Sequence, residues 1–229
     1  FYDQGLKSKI EKEIGLLDQN TIKIFNEKRR IGENDNYICE LIRNDSVNEF
    51  IVLINKPETN KKNIPMSIFE TNPCLLIDKV SLIEYAAFFG SIQIFKYLFF
   101  EKHQLSINSM VYSVHGNNPT LFHRIEEKTE NKKDLPKYFQ NALIEAINCH
   151  QNKYVDFICI SLTTKIEENR NLISLCIKSF NFELFPENLS SNYNFYFLCQ
   201  YNHFTFVDIL LKTTSFDINE MVILNQKIL

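Results

Sequence analysis

Apolar residues in this chain come in short bursts of helical period, two bursts to a unit, with a turn-forming residue between them. The clearest unit spans residues 81–100, SLIEYAAFFGSIQIFKYLFF. Leu82, Ile83, Tyr85, Ala86 and Ala87 predict a short apolar helix whose adjacent alanines let a neighbouring backbone come close. Gly90 ends it, because glycine adopts the left-handed geometry of a helix C-terminus without a Cβ penalty. Ser91 can cap a second helix. In that helix Ile92, Phe95 and Leu98 fall at i, i+3 and i+6, with Ile94 and Tyr97 beside them and Gln93 and Lys96 pointing outward. The result is a helical hairpin that cannot bury its apolar faces alone.

Weaker versions lie on both sides. The first hairpin, residues 37–54, has Cys39, Leu41 and Ile42, then a turn at Asn44, Asp45 and Ser46, then Val47, Phe50, Leu53 and Ile54. The third, residues 109–127, has Val111, Tyr112 and Val114 before Gly116, but its second helix needs one inserted residue to align. The fourth turns at His150, the fifth at Phe180 and the sixth at Asn202; Pro186 should cut the fifth short by removing a donor and clashing with the preceding turn. The turn positions Gly90, Gly116, His150, Phe180 and Asn202 are separated by 26, 34, 30 and 22 residues. Residues 55–80, with Pro57, Pro65 and Pro73, predict a long loop holding a helical piece near Ser67 and Phe69. Ahead of the hairpins, Ile10, Ile14, Leu17, Thr21 and Ile24 share one helical face, up to a polar turn opened by Gly32. A helix capping the stack and an independent coiled coil both fit that face; the sustained heptads of the second are missing, which favours the cap.

Ile83-Glu84-Tyr85-Ala86-Ala87, two spacers, and then Gly90-Ser91-Ile92-Gln93-Ile94-Phe95-Lys96-Tyr97-Leu98 resemble the ankyrin repeat. In that family a Leu-His-Leu-Ala-Ala run precedes a glycine and a Leu/Val-rich second helix. Glu84 stands where the family usually has His, and Leu82 where it usually has Pro. These departures bear on the first-turn hydrogen-bond network and leave the hairpin intact. The chain also resembles the divergent ankyrin-like domains expanded in some protists, whose opening unit is similar to Tyr37-Ile38-Cys39-Glu40-Leu41-Ile42-Arg43-Asn44-Asp45-Ser46. The resemblance implies an all-α, ankyrin-like solenoid of stacked helix-turn-helix hairpins with degenerate repeats. A capping helical segment would occupy residues 1–35 and the repeat domain residues 36–229. Residues 215–219 resemble the start of another unit, so the chain is expected to stop inside a repeat, and its start at Phe1 suits a fragment. The mean turn spacing of 28 lies near the 33 of an ankyrin repeat. A non-repeat helical bundle would use the same amphipathic segments, because period alone does not fix stacking.

The 229 residues can bury a sizeable core, roughly 70% of the unfolded surface for a chain of this size. A net charge of -3 and a pI near 6.0 give no electrostatic preference for nucleic acid or anionic membrane. Glu84, Gln93, Lys96 and the Gly90-Ser91 break exclude residues 82–100 as a membrane span. Six cysteines, none in a Cys-x-x-Cys pair, read as small buried hydrophobes in a reducing, cytoplasmic setting.

Candidate chemistry is sparse. The five histidines form no His-Glu-x-x-His and no paired Cys/His spacing, so local sequence gives no basis for zinc. Cys149-His150 resembles a nucleophile–base pair only by adjacency, since neighbouring helical side chains diverge by about 100°. Glu126-Glu127 and Glu167-Glu168 read as solvated helix ends, and five glycines in all make no phosphate loop. No enzyme, cofactor or metal is expected. The spacer pair Phe88 and Phe89 is different: the resemblance implies that it lies at the end of the inner helix on the concave face. The equivalent pairs are Val114 and His115, Asn148 and Cys149, Lys178 and Ser179, and Gln200 and Tyr201, which vary as a partner-reading surface would and also as an unselected surface would. The expected function is a protein–protein interaction scaffold, with Phe88, Phe89 and Tyr201 as anchors. The alternative is a regulatory or targeting portion of an enzyme whose catalytic part lies outside this sequence.

Overall fold

The computed structural model describes residues 19–213, apart from 60–61, 77–78, 129–134, 187–188 and 190. The expectations for Ile10, Ile14, Leu17 and residues 215–219 therefore lie outside the described residues. The described residues form twelve α-helices, two 3₁₀ turns and no strand. The chain divides into two compact units, Phe1–Gln104 and Leu105–Leu229.

In the first unit, α1 (Gln19–Ile31) is followed by the hairpins α2–α3 (Tyr37–Arg43, Val47–Ile54) and α4–α5 (Leu82–Phe88, Ile92–Phe100). Helix α2 packs on α4 and α3 packs on α5, so first helix meets first and second meets second. Fully buried Ile42, Phe50, Leu82, Tyr85, Ile94, Phe95 and Leu98 fill the interior, each such side chain worth about 1.5–3 kcal/mol on removal from water. Glu84 and Ser81 together start α4. Glu84 Oε2 accepts from the Ser81 backbone N–H at 2.9 Å and the Ser81 hydroxyl at 2.7 Å, while Ser81 Oγ accepts from Glu84 N at 3.3 Å. That capping box satisfies orphan donors reciprocally.

Helix α1 buries none of its residues, and its Thr21 and Ile24 face is exposed. Phe25 makes the contact instead, meeting Phe69 edge-on at 5.4 Å. The helix ends at Gly32, where φ is +73° and a Cβ would lie 2.6 Å from Thr71 Oγ1, so both backbone angle and space require glycine. The helical piece expected near Ser67 and Phe69 is absent. The Phe69 N–H binds Ser67 Oγ in a local turn, and Asn34 and Asn36 donate to the Pro65 and Met66 carbonyls, which holds this stretch open.

In the second unit, the hairpins α6–α7 (Ile107–His115, Pro119–Lys128) and α8–α9 (Leu135–Asn148, Asn152–Leu162) come first. Then follow α10 (Arg170–Lys178) with a 3₁₀ turn (Phe182–Leu184), and α11–α12 (Asn192–Gln200, Phe204–Thr213). Helix α8 packs on both α6 and α10, and α10 packs on α11. Ala142 and Ala146 of α8 are fully buried, and side chains that small allow close packing. The fifth hairpin has only a 3₁₀ turn in place of a second helix, next to Pro186.

The turns repeat in atomic detail. Asp45, Gly90, His150, Phe180 and Asn202 all have positive φ, between 49° and 67°. Each donates its N–H to the carbonyl three residues back, and the next residue donates to the carbonyl five back: Ser46 to Leu41, Ser91 to Ala86, Gln151 to Ala146, Asn181 to Cys176 and His203 to Leu198. This is the Schellman arrangement. In the third hairpin the left-handed residue is Asn117, with φ 44°, while Gly116 keeps φ -63°. The assignment of that turn to Gly116 is corrected by one position, which is the inserted residue the alignment needed.

A second regularity ties hairpin to hairpin. In three of the turns the residue after the left-handed position sends its side chain to a carbonyl of the preceding turn. Ser91 Oγ donates to Ile42 O, Asn181 Nδ2 to Ile147 O at 3.1 Å, and His203 Nε2 to Ile177 O at 2.6 Å. Each acceptor lies three residues before the left-handed residue of its own turn. Asp45 adds a cap on the next hairpin, its carboxylate accepting from Gln93 N and Ile94 N at 3.0 and 2.9 Å.

Candidate functional site

The C-terminal ends of the first helices carry the predicted contact residues. In the first unit Phe88 is only 8% exposed, which corrects its assignment as a surface anchor: the ring belongs to the interior. Phe89 is half-buried, 4.7 Å from the Tyr85 ring and 5.0 Å from Phe88, with the Arg43 guanidinium 6.0 Å from its centroid. Arg43 is itself held by Asn34 O at 2.8 Å, the Tyr85 hydroxyl at 2.9 Å and the Glu33 carboxylate at 2.9 Å. Phe89 therefore presents one edge of a fixed cation–aromatic assembly.

In the second unit Val114 is fully buried, a second correction. With Asn117 as the left-handed residue, Val114 is the counterpart of Ala87, and His115 and Gly116 are the counterparts of Phe88 and Phe89. His115 and Cys149 are half-buried; Asn148, Lys178 and Gln200 are exposed. Ser179 is half-buried and donates to Asn148 Oδ1 at 3.2 Å, so these two predicted positions meet. Half-buried Tyr201 stacks on Phe197 of its own hairpin, 6.0 Å between centroids.

His115 and Cys149 also meet, with a partner the sequence reading passed over. Glu145 Oε1 lies 2.8 Å from His115 Nε2 and accepts from Cys149 Sγ at 3.4 Å, while Cys149 Sγ is 3.7 Å from His115 Nδ1. The hydrogen bond from His115 holds the Glu145 carboxyl below the usual carboxylate range, against the opposing effect of burial. The available signal was the i, i+4 spacing of Glu145, in α8, and Cys149, just past its end, which puts both on one side of the helix. His150, adjacent to Cys149, instead donates Nε2–H to Ser179 O at 2.8 Å. Cys149 follows the last residue of α8, and its N–H bonds Glu145 O at 2.9 Å. The surroundings of Cys149, a carboxylate and the negative end of a helix, supply none of the positive charge that activates a cysteine nucleophile. Elsewhere burial pushes the Cys39 and Cys176 thiols up to about 12, which makes them inert core residues.

Where the fifth hairpin lacks a second helix, a groove of about 980 Å³ opens beside α9. Val155, Ile160 and Phe185 are among its apolar lining residues, and Asp156, Glu167, Glu168 and Glu183 among its acidic ones. No helix among the described residues is long and apolar enough to cross a membrane. No protein-family model, curated protein or solved structure matches the chain.

Proposed function

We propose that each unit is an ankyrin-like stack of degenerate helical hairpins, and that the chain is a protein–protein interaction scaffold. The observation that carries this reading is the row at the ends of α6, α8, α10 and α11, where neighbouring helices pack in sequence. One structural position there holds His115, Asn148, Lys178 and Gln200, four chemistries none of which is buried. A repeated frame that varies its exposed side chains can match a partner by shape and polarity without a catalytic pocket. Phe89 in the first unit and Tyr201 in the second are the aromatic anchors. The partner is a protein: the net charge of -3 disfavours phosphate backbones. Free cysteines, two of them fully buried, fit a reducing intracellular compartment.

The test compares capture of a protein partner from the source cell by the intact chain and by a Lys178→Glu/Gln200→Glu variant. Capture should fall by at least about tenfold, the effect of losing roughly 1.4 kcal/mol, while the helical circular dichroism stays unchanged. Ile160→Asp, in the groove beside α9, should capture as the intact chain does. Equal capture by the double variant refutes the row as the binding surface.

A further inference from the structure

We propose that His115, Glu145 and Cys149 form a three-ligand site for a zinc-like divalent transition metal, linking the C-terminal ends of α6 and α8. His115 is the last residue of α6, Cys149 follows α8, and Glu145 lies one turn earlier on α8. The atoms that would bind are His115 Nε2, Glu145 Oε1 and Cys149 Sγ. They are separated by 2.8 Å (N to O), 3.4 Å (S to O) and 4.0 Å (S to N). The edges of a tetrahedral zinc site with these donors are about 3.3–3.6 Å, from metal–ligand bonds of about 2.0–2.3 Å. Shifts of about half an ångström in three side chains would convert one triangle into the other, within the reach of ordinary rotamer adjustment.

The electrostatics favour a cation. Two helix C-termini, each the negative end of a macrodipole, meet at a carboxylate. A doubly charged ion placed there stabilises the Cys149 thiolate that binds it. On coordination the thiol proton leaves to solvent, His115 binds through Nε2 as neutral imidazole with its proton on Nδ1, and the His115–Glu145 hydrogen bond is exchanged for two metal bonds. No oxidant or reductant takes part. One sulfur, one imidazole and one carboxylate suit zinc, cobalt or nickel; magnesium and calcium prefer oxygen donors alone. The His115 and Glu145 side chains are 17% and 20% exposed, so water reaches the site and can complete the fourth position. The ligands lie 30 and 34 positions apart, beyond the spacing motifs that mark zinc sites in a sequence. This inference does not depend on the scaffold reading.

The experiment titrates cobalt(II) into the reduced, metal-stripped chain and records its visible and near-ultraviolet spectra. One equivalent should produce tetrahedral ligand-field bands and thiolate-to-metal charge transfer, both erased by zinc. Cys149→Ser, a nearly isosteric change, should abolish the charge transfer with helicity intact, and Cys199→Ser should keep it. Glu145→Gln should weaken cobalt binding by at least about tenfold, since even indirect supports of a metal cost that much. The proposal is overturned if no charge transfer develops, if Cys149→Ser retains it, or if Glu145→Gln binds cobalt as tightly as the intact chain.

Discussion

His203 is buried, donates Nε2–H to Ile177 O, and lies 4.2 Å from the Phe180 ring and 5.6 Å from the Phe185 ring. Replacing it with alanine removes a buried donor from a carbonyl, and should cost the second unit about 1–3 kcal/mol in urea unfolding. Asn181→Ala should cost a similar amount, because Asn181 fills the same place one hairpin earlier. Glu145 makes a prediction in pH. Its folded pKa is lowered from 4.5, so its contribution is present above that value and is lost as pH falls through the folded pKa. The stability gap between the intact chain and Glu145→Gln should therefore be widest at neutral pH and close under acid. A gap that widens on acidification contradicts the His115–Glu145 assignment. Phe88→Ser should destabilise the first unit by about 3–5 kcal/mol, the cost of truncating a buried phenylalanine, and act on capture only through that loss. Phe88 also marks what the sequence leaves open: a spacer phenylalanine reads equally as anchor or interior until its burial is known. Cys149 and His115 were both legible as positions, but their meeting was not, since it depends on which faces of α6 and α8 oppose each other.

At the scale of the element, the helical hairpins were legible because apolar period and turn chemistry agree. The fifth hairpin even ends beside Pro186 as its chemistry requires. The third turn was misplaced by one residue because a glycine in the sequence outweighed the neighbouring asparagine. Asparagine tolerates the left-handed region well enough that Gly116 was not needed there. The Ser67 region failed differently: three apolar and polar residues looked helical, but side-chain bonds to the backbone won locally. Gly90 tests the turn assignment. Its φ is +67°, so Gly90→Ala should destabilise by about 1 kcal/mol or more, whereas Gly116→Ala at φ -63° should be far milder. Thermal melts of the two variants compare them directly, and equal losses would contradict the register.

At the scale of the molecule, one residue position performs one structural task in three of the turns with three different side chains, Ser91, Asn181 and His203. The bond recurs while the residue type does not, so it leaves no fixed residue pattern in the sequence. The proposed stacking makes each hairpin depend chiefly on its neighbours, whereas a bundle around one shared core would respond as a whole. Native-state hydrogen exchange on His203→Ala distinguishes the two most directly. Stacked hairpins should lose protection in α11, α12 and the adjoining α10 while α6 to α9 keep theirs. A uniform loss of protection from α6 through α12 would contradict the stacking.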